Sequence, residues 1–247
     1  MSTIVIVKRE DKSMQEYIQS QKILTYDDVL AFKPGASTEP LVDVRTYDPD
    51  ILSEYLKRDM LEITGGSIFV RDSLARKLAK VNQQLKAQGF LLKVVYGYRH
   101  PSIQRDYFLK RREAVSEQHP DLDQSQLNRL THNFVADPTV AGHPAGAAID
   151  VTIVDAHTKQ AIDMGTSIAD YSDPLLIQTF DSRVSKEVMK HRMMLHDALI
   201  AENFAPFYGE WWHFSYGDRE WAAFYNKEAL FGPIEFSLTD FSNKSKV

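Results

Sequence analysis

The chain has 247 residues, enough for one well-buried domain or for one domain with an added segment. Hydrophobic residues make up 43% and charged residues 26%, an ordinary soluble globular balance, and a net charge of -5 with no long basic run argues against a nucleic-acid-binding surface. The absence of cysteine excludes disulfides, thiol nucleophiles and cysteine-based zinc sites, so any metal site must be built from His, Asp and Glu.

The first apolar run, Ile4 to Val7, has the look of a short strand and is cut off at once by Lys8, Arg9 and Glu10. It is too brief for a signal-peptide core or a membrane span, and no membrane partner is expected. The expected location is cytoplasmic, although a precursor trimmed ahead of residue 1, a periplasmic one included, would leave the same trace. Met14 to Leu30 is mixed and partly helical in pattern. Lys33 to Pro40 carries two prolines and a glycine among small polar residues, a linker signal. Residues 1–40 are therefore expected to form an N-terminal extension and residues 41–247 the main domain.

Leu41 to Arg45 alternates like a strand. Asp72 to Gly89 is the clearest helix, since Leu74, Leu78, Val81 and Leu85 fall on one face, with Asp72 or Ser73 able to cap its start and Gly89 to end it. Phe90 to Tyr96 is strand-like, and Pro101 stands where a helix can begin, its missing N–H harmless there. Ala147 to Val154 is the best strand: it is rich in β-branched residues, with Asp150 and Thr152 on one side and Ile149, Val151 and Ile153 on the other. Ser185 to Glu202 reads as a second long helix capped by Ser185, with Glu187 in its first turn. Pro206 marks a break, and Trp211 to Tyr216 reads as a last strand. Strands and helices do not alternate strictly, and no Gly-rich strand-to-helix turn is present to cradle a phosphate. The expected class is α+β, with a small, mainly antiparallel sheet packed with helices.

Three segments could carry chemistry. In Gly142-His143-Pro144-Ala145-Gly146-Ala147-Ala148-Ile149-Asp150, small residues surround a His and an Asp seven positions apart. A histidine at the turn and an aspartate on the strand could converge on one cation, which in a hydrolytic zinc site takes three protein ligands and leaves a position for water. Read alone, the same segment is also a capped loop followed by a strand with one polar residue. In Glu210-Trp211-Trp212-His213 an acid lies three residues before a histidine, flanked by indoles that lower the local dielectric. Residues three apart on a flat strand face opposite ways, so Glu210 shares a site with His213 only if it lies in a preceding loop or bulge; Pro206 and Gly209 favour such an irregularity. Read alone, this is more simply a Trp-rich core strand with a solvent-facing Glu. In Tyr96-Gly97-Tyr98-Arg99-His100-Pro101, Arg99 sits where strand gives way to helix and could stabilise an oxyanion, though a surface salt bridge is the simpler account of it by itself. Of the remaining histidines, His191 and His196 are five apart on a helix and so about 140° apart, which is not the four-residue spacing of a zinc-binding pair. His100 is expected beside the site, and His119, His132 and His157 are expected in exposed polar loops.

Taken together, these motifs resemble the D-Ala-D-Ala dipeptidases, the VanX-like branch of the zinc D,D-peptidases. That family carries SxHxxGxAxD, read here as GHPAGAAID, then ExxH near the C-terminus, read here as EWWH, a GYR segment at Gly97-Tyr98-Arg99 and a Met-Gly segment at Met164-Gly165-Thr166. The resemblance spans roughly Leu41 to Gly217, and it implies a hedgehog/D,D-peptidase-like fold. Residue by residue it implies that His143, Asp150 and His213 hold one Zn2+, that Glu210 is the general acid/base, and that Arg99 stabilises the transition state. The implied substrate is a small D,D-dipeptide, D-Ala-D-Ala, in cell-wall recycling, nutrition or glycopeptide resistance. Three departures stand out. Before the first ligand Ser is not present, Tyr96 replaces an acid found in vancomycin-resistance members, and the segment after Gly165 is one residue longer. Asp170 and Asp173 are the acids expected near the substrate amine. The rival readings are a D,D-carboxypeptidase or endopeptidase acting on longer wall peptides, and a non-catalytic zinc-bearing binding module.

Overall fold

The structure, a computed structural model, describes residues 22–238. The strand expected at Ile4 to Val7 and the first part of the helical stretch from Met14 lie outside the described residues. A short helix α1 (Tyr26–Leu30) opens the described part, closed at its start by a capping box in which Thr25 and Asp28 satisfy each other's backbone N–H groups.

Two small sheets follow. In the first, β1 (Leu41–Asp43) pairs antiparallel with β3 (Phe69–Arg71). The second has five strands in the order β2 (Leu52–Ser53), β4 (Phe90–Tyr96), β5 (Ala148–Asp155), β7 (His213–Ser215) and β6 (Ala205–Pro206). Only the β2–β4 pair is parallel. The expected α+β class with a small, mainly antiparallel sheet is what forms. Pro206 lies on the edge strand, where its missing N–H breaks no interior ladder.

Helices cover the sheet. Helix α2 (Leu61–Thr64) is one turn; α3 (Asp72–Lys86) packs its Leu74, Leu78, Val81 and Leu85 fully out of water, as their spacing predicts. Its cap differs from expectation. Neither Asp72 nor Ser73 caps it; the Ser73 N–H donates to the carboxylate of Glu39, a residue of the Pro-rich stretch 34 positions earlier. Helix α4 (Pro101–Gln118) begins at Pro101, and α5 (Gln124–His132), which the hydrophobic pattern did not reveal, follows it. Helix α6 (Lys186–Ala201) is capped by Ser185 as expected, and α7 (Arg219–Tyr225) follows β7. The core lies between α3, α6 and one face of the sheet, where Ile149, Val151 and Ile153 are fully buried.

Residues 22–40 pack onto this body. Val29 is buried, the Gly35 and Ser37 N–H groups donate to the carbonyls of Phe231 and Leu230, and the Arg71 guanidinium reaches the carbonyl of Glu39.

Two buried arginines fasten irregular segments. Arg71 also donates to the carbonyls of Ala145 (2.7 Å) and Gly232 (3.1 Å). Arg192, on α6, donates to the carbonyls of Met164, Leu176 and Gln178 at 2.9, 3.0 and 2.6 Å. It thereby staples the long connection between β5 and α6. Replacing Arg192 by Leu leaves three carbonyls without their donor, and unfolding free energy is expected to drop by about 3 kcal/mol or more. A urea midpoint indistinguishable from the parent would refute this staple.

Candidate metal centre and cleft

The sheet register assembles the site. Tyr96 on β4 stands opposite Asp150 on β5, and Asp150 stands opposite His213 on β7. Three side chains from three adjacent strands thus form one row on the face of the sheet away from the aliphatic core. Asp150 is on the side predicted by the alternation of its strand.

His143 enters from a 3-10 turn, His143–Ala145, which ends at Gly146 in the left-handed conformation (φ 65°) that Gly accommodates without strain. The GYR segment holds this histidine twice. The Arg99 N–H donates to the His143 carbonyl (3.1 Å), and His143 Nδ1 lies 2.7 Å from the Gly97 carbonyl. A carbonyl can only accept, so Nδ1 carries the proton and the Nε2 lone pair points at Asp150, 3.6 Å from Oδ1. On the other side His213 Nδ1 is 3.0 Å from the same Oδ1. One ligand atom from each of His143, Asp150 and His213 lies within 4.8 Å of the others, the only such cluster among the described residues.

Glu210 shares the site because of a turn. Its carbonyl accepts the His213 N–H (3.2 Å) and its own N–H donates to Phe207, so residues 207–213 form a tight loop between β6 and β7. The strand expected from Trp211 begins only at His213, and this resolves the opposite-face difficulty. The loop is pinned by Trp211, whose indole N–H donates to Thr166 (2.8 Å) in the Met-Gly-Thr segment.

The electrostatics follow from burial and neighbouring charge. Burial pushes the Glu210 carboxyl up to about 7; the Asp150 charge adds to this, while His213 and the hydroxyl of Tyr171, 3.0 Å from Oε1, work against it. Asp150 is held well below the usual carboxylate range because His143 and His213 outweigh its burial. Burial lowers His143, leaving it neutral. His213 is pushed up to about 10: burial opposes its charged form, but Glu220 and Asp150 outweigh it. The Glu220 carboxylate, 3.8 Å from His213 Nε2, is itself pushed up to about 8 by burial.

A cavity of about 210 Å³ opens over this row. His143, Asp150, His213, Glu210 and Arg99 all line it. So do Tyr171 and Glu220, two residues that carried no sequence signal, their partners being 39 and seven positions away. Asp170 and Asp173 do not line it. Asp170 accepts the N–H of Ser172, and Asp173 pairs with Arg183 at 2.8 Å. In this segment Ala169 adopts a left-handed φ of 60°, and the side chain that enters the cleft is Tyr171. His132, expected to be exposed, is largely buried at the end of α5 and lines the cleft; burial lowers its pKa, and its Nδ1 accepts the Asp137 N–H. His100 caps α4 through Ser102. Gly142, directly before the first histidine, leaves room for its neighbours: a Cβ there would collide with the buried carboxylate of Asp218.

The donor set fits zinc. Two imidazole nitrogens and one carboxylate oxygen converge, the His143 ring is oriented by the Gly97 carbonyl on its far side, the Glu220 carboxylate lies 3.8 Å from the far nitrogen of His213, and no thiolate is needed. The arrangement is that of a small α+β protein with a metal-capable cleft flanked by an acid and an arginine. A family model described as D-ala-D-ala dipeptidase matches residues 47–230, well over half of the chain, and the protein belongs to that peptidase family. The D-alanyl-D-alanine dipeptidase of Synechocystis sp. is 36% identical over a match covering 38% of this chain and 44% of that protein. The chain thus spans less than half the length of the curated relative it matches. Two solved structures are more distant: the LdcB LD-carboxypeptidase (16% identity, TM-score 0.45, 78% of this chain and 77% of that one) and the vancomycin resistance D,D-pentapeptidase VanY (17%, 0.39, 77% and 86%).

Proposed function

We propose that the protein is a zinc-dependent dipeptidase that hydrolyses D-Ala-D-Ala to two D-Ala. The observation that carries this reading is the convergence of His143, Asp150 and His213 on one point of a cleft that Glu210 and Arg99 also line. His143 Nε2, an Asp150 oxygen and His213 Nδ1 would hold the ion. When bound, zinc acts as a Lewis acid and lowers the pKa of water from about 16 to about 7.

The chain's own residues divide the remaining work. Glu210 takes a proton from the attacking water at its carboxylate and returns it to the leaving amine, and a carboxyl pushed up to about 7 is suited to both transfers near neutral pH. The Arg99 guanidinium faces the cleft as a fixed cation for charge growing on the scissile carbonyl oxygen. The acids Asp150, Glu210 and Glu220 and the cations Arg99 and Lys57 line the same cavity, which suits a small substrate bearing both an amine and a carboxylate. Activity on a panel of dipeptides, assayed with and without a chelator beside a longer muropeptide, tests the reading. Preference for the muropeptide would favour a carboxypeptidase or endopeptidase, and chelator-insensitive hydrolysis would remove the metal.

The Tyr171 hydroxyl donates to Glu210 and so favours the ionised form. A base must be ionised to work, so activity is present above the Glu210 pKa and is lost as pH falls through it. Tyr171→Phe withdraws the donor, raises that pKa, and is expected to move the acid limb of kcat/KM to higher pH. A limb that stays put or moves down would show that the hydroxyl does not tune the base.

A further inference from the structure

Arg99 is held against two rings. Its guanidinium carbon lies 4.3 Å from the centroid of Tyr96 and 5.4 Å from that of Tyr107. One end of the fork is tied, Nη1 donating to Gln104 Oε1 at 2.8 Å, and Gln104 in turn donates to the Ala136 carbonyl. The Nε has no partner among the described residues. An aromatic face attracts a cation but does not by itself fix where the cation lies, because the attraction changes little as the guanidinium slides across the ring. The direction of Arg99 is therefore set by the Gln104 tie at one end of the fork and, along the rest of it, by whatever group fixes the two rings.

That group is Asp59. The hydroxyls of Tyr96 and Tyr107 both donate to the same oxygen, Oδ2, each at 2.6 Å. Burial raises both phenols, Tyr107 to about 12, so both keep their protons and act as donors. One carboxylate oxygen accepting two phenols triangulates two rings, one from the end of β4 and one from α4. The Tyr96 ring also packs edge-on against His143 at 5.5 Å. Asp59 lies in the loop between β2 and α2, outside every motif of the sequence, 37 and 48 residues before its two partners.

We propose that Asp59 is a positioning residue for hydrolysis, aiming the Arg99 guanidinium through the Tyr96 and Tyr107 rings. This rests on the function proposed above, in which Arg99 faces the reacting carbonyl. It also gives Tyr96 a purpose. The tyrosine directly before the GYR segment reaches an acid supplied from another loop.

Misplacing a catalytic group by about 1 Å costs on the order of 10²-fold in rate. Asp59→Ala is therefore expected to lower kcat on D-Ala-D-Ala roughly ten- to hundredfold, with KM changed far less and zinc content unchanged. Asp59→Asn, whose amide oxygen still accepts from both phenols, should restore most of the rate. In an Arg99→Ala background, Asp59→Ala should cost nothing further, since the group it aims is gone. The Tyr96→Phe/Tyr107→Phe double variant keeps the rings and removes the tethers, so it should reproduce the kcat loss even if Asp59→Ala folds poorly. Lowered thermal stability with an unchanged kcat, or losses that add fully to Arg99→Ala, would overturn the proposal. An Arg99→Ala variant of normal kcat would instead dismiss Arg99 itself, and a parent protein without dipeptidase activity would dismiss the proposed function, the role of Asp59 falling with either.

Discussion

Glu210→Gln is expected to lose hydrolysis by about 10²- to 10⁴-fold while binding zinc as tightly as the parent. The substitution is nearly isosteric, and the amide oxygen still accepts the Tyr171 hydroxyl that the carboxylate holds at 3.0 Å. What disappears is the basic lone pair and the capacity to carry a proton from water to the leaving amine. The metal is spared because Glu210 is not one of the three residues whose donor atoms cluster within 4.8 Å. Single-turnover assays on metal-replete protein, with zinc measured on the same sample, separate the two effects. Near-normal turnover would reject Glu210 as the acid/base, and a parallel loss of zinc would place it among the ligands.

The legible parts of this protein are those written locally. Leu74, Leu78, Val81 and Leu85 mark the buried stripe of α3, and the alternation from Ile149 to Ile153 separates the core face of β5 from the face bearing Asp150. His143 and Asp150 share one turn and strand, and Glu210 and His213 share one loop, so each pair is visible in a few residues of sequence. What joined the pairs is the antiparallel register of β5 against β7, which is a property of the sheet. Residues whose role depends on distant partners left no trace. Glu39 caps a helix 34 residues on, Asp59 tethers tyrosines 37 and 48 residues on, and Tyr171 meets Glu210 across 39. The acids expected near the substrate amine, Asp170 and Asp173, are engaged outside the cleft by Ser172 and Arg183, and beside the left-handed Ala169 it is Tyr171 that points inward. Spacing along the chain does not encode which side chain does so.

His213→Ala is expected to abolish stable zinc binding and, with it, all measurable hydrolysis. A zinc ion held by protein takes at least three side-chain ligands in sites of this kind, and the variant keeps only His143 and Asp150. The loss goes beyond a missing donor. In the parent, His213 Nδ1 sits 3.0 Å from Asp150 while Nε2 faces Glu220 at 3.8 Å, so one imidazole separates two buried carboxylates. Removing it leaves Asp150, Glu220 and Glu210 in one cleft with less positive charge among them, and one or more must take up a proton, which weakens what remains of the site. The same geometry predicts how pH acts on the parent. Without metal, the two carboxylates hold a proton on His213, pushing its pKa up to about 10, and zinc must displace that proton to reach Nδ1. Zinc uptake should therefore release protons, and affinity should fall from pH 8 to pH 6 as the competing proton becomes more abundant. Competition against a chelator of known affinity at the two pH values measures this directly. Affinity that is flat or rises toward pH 6, or full zinc occupancy in His213→Ala, would remove His213 from the ligand set.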